Sequence, residues 1–222
     1  MKAVIFDMDG VIFDTEQRLL ECWQEYMAKH FGMPPEEVAR IYPKVIGMND
    51  ANAKAKLREI WGQDFPVDDF IDETLIRLRE RNRTEGMPLK PGVRELLSYL
   101  EGEGYRIGLA TSTRESLATE ELRSCDLFRY FDGCMFGDQL KNSKPAPDIY
   151  LLACERLQVK PEETYAIEDS YFGIQSASAA GMRPIMVPDL LPSTKETEEK
   201  CVAIKKDLHE VQAYLDSQKE AR

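Results

Sequence analysis

An apolar run, Ala3-Val4-Ile5-Phe6, ends in two carboxylates one residue apart, Asp7 and Asp9, with Gly10 directly after them. Such a run reads as a buried strand that delivers acids to the carboxyl edge of a sheet, where open α/β sheets bind ligands. One acid of such a pair can serve as nucleophile or metal ligand while its neighbour handles protons. Further along, Thr111-Ser112 follow Leu109-Ala110, Lys144 lies in Ser143-Lys144-Pro145-Ala146-Pro147-Asp148, and Glu168-Asp169 follow Tyr165-Ala166-Ile167. Together these pieces suit phosphoryl transfer. Asp7 and Asp169 are hard oxygen donors for Mg²⁺, a cation that binds through one or two carboxylates plus substrate phosphate. Lys144 adds a second positive charge, and Thr111-Ser112 offer a hydroxyl and nearby amides to phosphate oxygens.

Each piece also has a duller reading. Asp-Gly is ordinary turn chemistry, Thr111-Ser112 could N-cap the next helix, Lys144 could be an exposed loop lysine, and Glu168-Asp169 could cap the helix after Ser170. Taken singly, the duller reading is the stronger. Four pieces at the ends of predicted strands reverse that order, because those ends converge in a parallel sheet.

The elements that must position these residues come in two blocks. After the first strand, Leu19, Leu20, Trp23, Met27 and Phe31 recur at helical spacing, and Gly32, Pro34 and Pro35 break that helix. Glu36-Glu37 suit the first turn of another, and helical stretches follow near 49–61 and 67–82, with no convincing strand between residues 16 and 85. From Pro91-Gly92 onward strands and helices alternate. Strands are expected at 107–110, 133–136, 165–167, 184–187 and 202–204. Helices are expected from Val93, at 114–125, at 146–158 with Ile149, Leu152, Ala153 and Leu157 inward, at 173–180, and at the end with Leu208, Val211 and Leu215. This alternation predicts a parallel sheet covered on both faces. The expected fold is therefore a Rossmann-like core of residues 1–15 and 86–222 with a small all-helical cap domain, 16–85, inserted after the acidic strand. An insertion there is placed to act as a lid, with Gly86 and the Thr15–Glu16 segment as its expected hinges.

Composition narrows the class. A chain of 222 residues with 43% hydrophobic and 31% charged residues can bury a real core. Its apolar runs fall well short of the roughly 20 residues that span a bilayer. The first strand starts at once, so no signal peptide and a cytoplasmic location are expected. A net charge of −11 argues against a nucleic-acid or anionic-membrane surface. Cys22, Cys125, Cys134, Cys154 and Cys201 are odd in number and irregular in spacing, which favours free thiols over disulfides or zinc. Trp23, Tyr26, Phe31 and Trp61 are expected in the cap core, Arg79, Arg81, Asn82 and Arg83 on a solvated helix face, and Arg114 beside the site. His30 reads as a helix-end residue and His209 as a surface residue.

In order, spacing and strand context these motifs resemble the haloacid dehalogenase superfamily, in the branch containing β-phosphoglucomutase and related small-molecule phosphatases. Motif one is Asp7 to Thr15, motif two Thr111, motif three Lys144 and motif four Glu168-Asp169. The resemblance implies that Asp7 is the nucleophile, forming an aspartyl-phosphate, and Asp9 the general acid and then base. It implies Mg²⁺ held by Asp7, the Asp9 backbone carbonyl and Asp169, with Glu168 in support. Dehalogenases of this superfamily lack the second acid, so Asp9 argues against dehalogenation. Phosphonate hydrolases use a cap lysine and typically lack it too, which leaves Lys44, Lys54 and Lys56 a distant third reading.

The serious rival is the mutase. A phosphoglucomutase of this branch carries a cap arginine in a Gly-x-x-Arg setting and a histidine five residues after the Asp that matches Asp14. Here those positions are Gly47-Met48-Asn49-Asp50 and Leu19. Asp50 would repel a bisphosphate intermediate, so hydrolysis of a small phosphate monoester, such as a sugar or polyol phosphate, is the expected reaction. Met48, Asn49 and Asp50 are the substrate-facing cap candidates. The expected partner is a small phosphorylated metabolite, the expected state a monomer, and a non-catalytic binding protein on the same fold is the contrasting class.

Overall fold

The structure, a computed structural model, describes residues 2–46 and 50–220, with the side chains of Asp50 and Glu220 outside that description. The chain divides into two units, Met1–Asp14 with Met87–Arg222, and Thr15–Gly86.

In the first unit the strands are β1 Ala3–Phe6, β2 Arg106–Thr111, β3 Gly133–Phe136, β4 Thr164–Glu168, β5 Arg183–Met186 and β6 Ala203–Ile204. They form one sheet in the order β3-β2-β1-β4-β5-β6, and every pairing is parallel. The period-two alternation of side chains sorts the strand residues between two faces. Val4, Phe6, Ile107, Leu109, Tyr165 and Ile167 join a core cluster with Val93, Leu96, Leu97 and Leu100. Ile5, Ala110, Met135 and Ala166 join another with Ile149, Tyr150, Ala153 and Leu157. Helices cover both faces, as a parallel sheet requires.

Helices α1 Thr15–Phe31, α2 Pro35–Ile41, α3 Asp50–Trp61 and α4 Val67–Glu85 belong to the second unit. The first unit holds α5 Val93–Gly102, α6 Glu115–Ser124, α7 Asp148–Leu157, α8 Tyr171–Ala179, α9 Lys195–Lys200 and α10 Leu208–Glu220. Leu208, Val211 and Leu215 of α10 are buried in the core, so the last helix packs on its own sheet. Leu152, expected inward, is 38% exposed, whereas Tyr150 is fully buried. Helix α7 starts after Pro147, and that start sets its inward stripe at 149, 150, 153, 154 and 157. The charged stretch before Cys201 forms α9, which Thr194 and Thr197 cap reciprocally.

The second unit is held by rings. Trp23 meets Phe70 at 4.7 Å and Tyr42 at 4.8 Å, and Trp61 meets Phe65 at 4.7 Å. Trp23 and Tyr26 are buried, while Phe31 packs on Phe65 and is 49% exposed. Arg79 and Arg83 are exposed, and Arg81 pairs with Glu21 and Glu85. Arg18 donates to the Asn82 side chain and to the Gly86 carbonyl, each at 2.7 Å. No helix among the described residues is long and apolar enough to cross a membrane, and all five cysteines are free thiols.

Within the first unit, the two chain segments that border the insertion lie side by side. The Asp14 amide donates to the Pro88 carbonyl at 2.8 Å and the Lys90 amide to the Ile12 carbonyl at 2.9 Å. Lys90 Nζ reaches Asp189 Oδ1 at 2.7 Å, and the Asp189 side chain is 7% exposed. Removing one partner of a buried pair strands the other charge and costs about 3 to 5 kcal/mol. Lys90→Met is therefore expected to lower stability by about 3 kcal/mol in urea unfolding at neutral pH, and adding Asp189→Asn to recover most of it. A loss that the second substitution leaves unchanged would move the effect from Asp189 to packing or to Asp14, whose Oδ1 lies 3.6 Å from Lys90 Nζ.

Candidate active site

The loop after β1 is anchored by its apolar residues and turns its acids to the sheet edge. Met8, Val11, Ile12 and Phe13 are fully buried. The Ile12 amide donates to the Met8 carbonyl at 2.8 Å, and the Gly10 amide to the Phe13 carbonyl at 2.9 Å. Gly10 has φ +80°, and a Cβ there would collide with the Asp169 carboxylate. Only glycine meets both conditions, so Gly10 lets the acidic loop lie against the end of β4.

Strand order brings the remote acids together. The crossover order changes direction between β1 and β4, and ligands gather at such a point. The Asp7 amide donates to the Ile167 carbonyl at 3.0 Å, extending the β1–β4 pairing to the first catalytic candidate. Glu168 ends β4 and Asp169 follows it. One oxygen from each of Asp7, Glu168 and Asp169 lies within 4.8 Å of the others, and all three residues are buried.

Lys144 is no exposed loop lysine. Its side chain is 9% exposed, and Nζ donates to Asp7 Oδ1 at 2.6 Å, Glu168 Oε1 at 2.5 Å and the Ala110 carbonyl at 3.1 Å. Thr111, at the end of β2, is buried, and its hydroxyl accepts from the Thr113 amide at 3.0 Å. Thr113 Oγ1 in turn donates to Asp9 Oδ2 at 2.8 Å, which holds that half-exposed acid toward the β2 side. Ser112 is exposed in the same turn, and so is Arg114. The helix-capping alternatives fail. Asp138 accepts from the Glu115 amide at the start of α6, and Ser170 from the Gly173 amide at the start of α8.

Electrostatics follow from this crowding. Burial pushes the Asp7 carboxyl up to about 7; Lys144 opposes the rise and Glu168 and Asp9 add to it. Burial acts against the Lys144 charge, but Asp7 and Glu168 outweigh it and hold the ammonium above its usual range. The three clustered carboxylates, two of them on Lys144, carry more negative charge than it neutralises. Hard oxygen donors with surplus charge fit a divalent cation such as Mg²⁺.

Several contributors escaped the sequence. Tyr150 donates to Glu168 Oε1 at 2.6 Å, and Ser170 donates to Glu168 Oε2 through its hydroxyl at 3.1 Å and its amide at 3.4 Å. A Cβ at Gly173 would overlap the Glu168 carboxyl group. Thr113, two residues past Thr111, carried a signal only in hindsight of the turn. Of the cap candidates, Met48 and Asn49 lie outside the described residues, and Asp50 begins α3 with its side chain likewise outside.

The sequence pattern of the haloacid dehalogenase-like hydrolases matches residues 4–187, from β1 to just past β5. The chain belongs to that family. Among relatives of this haloacid dehalogenase-like hydrolase is a protein named phosphorylated carbohydrates phosphatase from Thermotoga maritima. It is 38% identical over 188 residues, 83% of this chain and 84% of the relative. A protein named β-phosphoglucomutase from Bacillus subtilis is 30% identical, over 82% of this chain and 81% of its own length. A solved structure from Thermotoga maritima, provisionally named a β-phosphoglucomutase, is 36% identical with a TM-score of 0.78. It covers 98% of this chain and 99% of that one.

Proposed function

We propose that this haloacid dehalogenase-like hydrolase is a Mg²⁺-dependent phosphatase of small phosphorylated carbohydrates, sugar or polyol phosphates, acting through an aspartyl-phosphate on Asp7. The observation that carries the reading is the Lys144 ammonium seated on Asp7 and Glu168 within the buried acid cluster. An acidic surface turn or a scaffold has no use for that arrangement. The phosphatase name of the Thermotoga maritima relative supports the substrate class.

In this reading an Asp7 carboxylate oxygen forms a bond to phosphorus as the bond from phosphorus to the sugar oxygen breaks. Asp9, held by Thr113, gives its proton to the departing oxygen and the sugar leaves as the alcohol. Asp9 then takes a proton from water, whose oxygen attacks phosphorus, and the acyl phosphate opens to inorganic phosphate and the Asp7 carboxylate. Lys144 and the turn at Thr111-Ser112 hold phosphate oxygens through both steps. Mg²⁺ held by Asp7 and Asp169 would supply the positive charge that lets a carboxylate approach a phosphate dianion. The unit Thr15–Gly86 chooses the substrate, with Met48, Asn49 and Asp50 as its candidates. A cytoplasmic location and a monomeric state are proposed alongside it, and the net charge of −11 supports independence from nucleic acid.

Phosphate release from a panel of sugar and polyol phosphates with Mg²⁺, with Asp7→Asn as the blank, tests the proposal. No release above the blank from any of them would overturn it. Asp9→Asn is expected to cost about 10²- to 10⁴-fold in single-turnover release of the alcohol from a sugar phosphate and far less from an aryl phosphate, whose leaving group needs no proton, the later base-assisted hydrolysis being common to both. Equal losses on both would remove Asp9 from the acid role. The β-phosphoglucomutase name of the Bacillus subtilis relative keeps the mutase in view. With β-glucose 1-phosphate the phosphatase reading expects free phosphate, and glucose 6-phosphate would favour the mutase.

A further inference from the structure

We propose that Tyr150 is a positioning residue of the phosphoryl-transfer site, its hydroxyl fixing Glu168 so that Glu168 keeps Lys144 in place over Asp7. The inference rests on the phosphatase reading and adds to it a residue outside the four motifs.

Tyr150 sits in the first turn of α7 and is fully buried among Ile5, Ala110, Ile149 and Ala166. Those neighbours are apolar and would accept a phenylalanine ring of the same shape. A hydroxyl in such surroundings is unfavourable unless it makes a hydrogen bond. It makes one, to Glu168 Oε1 at 2.6 Å, the same oxygen that receives Lys144 Nζ at 2.5 Å. The ring centroid lies 5.2 Å from Lys144 Nζ, so one side chain touches both members of the pair.

The partners of Glu168 show what this does. Oε1 takes Tyr150 and Lys144, and Oε2 takes the Ser170 hydroxyl and amide. With both oxygens engaged, Glu168 works as a fixed anchor for the lysine, and its part in holding a cation is secondary to Asp7 and Asp169. Lys144 has a long flexible stem that must be held to present its charge at one point. During transfer the phosphoryl group draws that ammonium toward itself, and an anchor secured from Tyr150 and Ser170 limits how far it moves. The interaction is expected to matter most in the transition state, where the equatorial phosphoryl oxygens reach the position for which the ammonium is held.

Tyr150→Phe removes the hydroxyl and keeps the ring. It is expected to lower kcat about tenfold on a sugar phosphate the wild type cleaves, as loss of one hydrogen bond to a charged group implies, with KM within about twofold. Binding measured by calorimetry with Mg²⁺ present gives a readout independent of turnover. Orthovanadate, which mimics the five-coordinate transition state, should bind about tenfold more weakly to the variant, and inorganic phosphate about equally well. Urea unfolding of the same samples checks the fold. An unchanged kcat, equal losses for vanadate and phosphate, or a Phe variant unable to fold would each overturn the positioning role. A wild type that releases no phosphate overturns the phosphatase reading and this proposal with it. An active wild type beside an unaffected variant overturns this proposal alone.

Discussion

Asp7→Asn is expected to yield a folded protein without turnover that, in the presence of a chelator at pH 7, resists urea better than the wild type. Loss of turnover follows from removing the proposed nucleophile. The gain in stability follows from charge. Asp7 is 7% exposed and shares its site with Glu168 and Asp169, and its carboxyl is pushed from 3.8 up to about 7, chiefly by burial. A raised folded value means that between about pH 4 and 7 the folded protein holds a proton that the unfolded chain has released. Stability then falls as pH rises through that window, by about 1.4 kcal/mol per unit and on the order of 4 kcal/mol in all. Asparagine carries no such titration, so the variant lacks this slope. Lys144 loses an ionic partner in the exchange, which trims the gain, but it keeps Glu168. Unfolding midpoints at pH 4.5 and pH 7 with EDTA measure the effect. A difference between the two proteins that is the same at both pH values would refute it. The wild type should recover stability on addition of Mg²⁺, and the variant much less.

The second large effect is expected at Gly173. Alanine is the better helix former by about 1 kcal/mol, so propensity alone makes Gly173→Ala a stabilising change in α8. Geometry argues the reverse. The new Cβ would overlap the Glu168 carboxyl carbon and both of its oxygens. Glu168 must then shift, and with it Lys144 and the bonds from Tyr150 and Ser170. A displacement near 1 Å at such a constellation costs about 100-fold in rate, and forcing a methyl into a packed site costs about 1 to 3 kcal/mol. Both losses are expected together in steady-state kinetics and urea unfolding. A variant as active as the wild type would show that Glu168 has room to move and that its placement is not critical.

Gly173 also shows where sequence reading stops. It was legible as a helix residue, although the helix begins two residues earlier at Tyr171, but the reason for a glycine there lies in a side chain on a neighbouring strand, five residues earlier in the chain. The acids were legible because each ends an apolar run, and the end of a run survives errors of one or two residues in strand boundaries. Lys144 was legible only by company, since nothing local distinguishes a buried lysine from an exposed one before proline. Tyr150 was lost at the margin of a stripe otherwise read correctly: Ile149, Ala153 and Leu157 are inward as expected, but the buried face widens toward Tyr150 and Cys154 and leaves Leu152 exposed. The α10 question depended on tertiary packing, which the amphipathic pattern of Leu208, Val211 and Leu215 leaves open until the partner surface is known.

The short ladder joining Asp14 to Pro88 and Ile12 to Lys90 has an evolutionary corollary. Because the chain leaves the catalytic sheet and re-enters it at adjacent, mutually bonded points, the intervening seventy-odd residues behave as a cassette whose ends already meet. Exchanging that cassette for one of another length would leave the strand order and every acid at the sheet edge untouched. A lineage could thus retarget such a hydrolase by recombination at one seam, without rebuilding the chemistry it inherits.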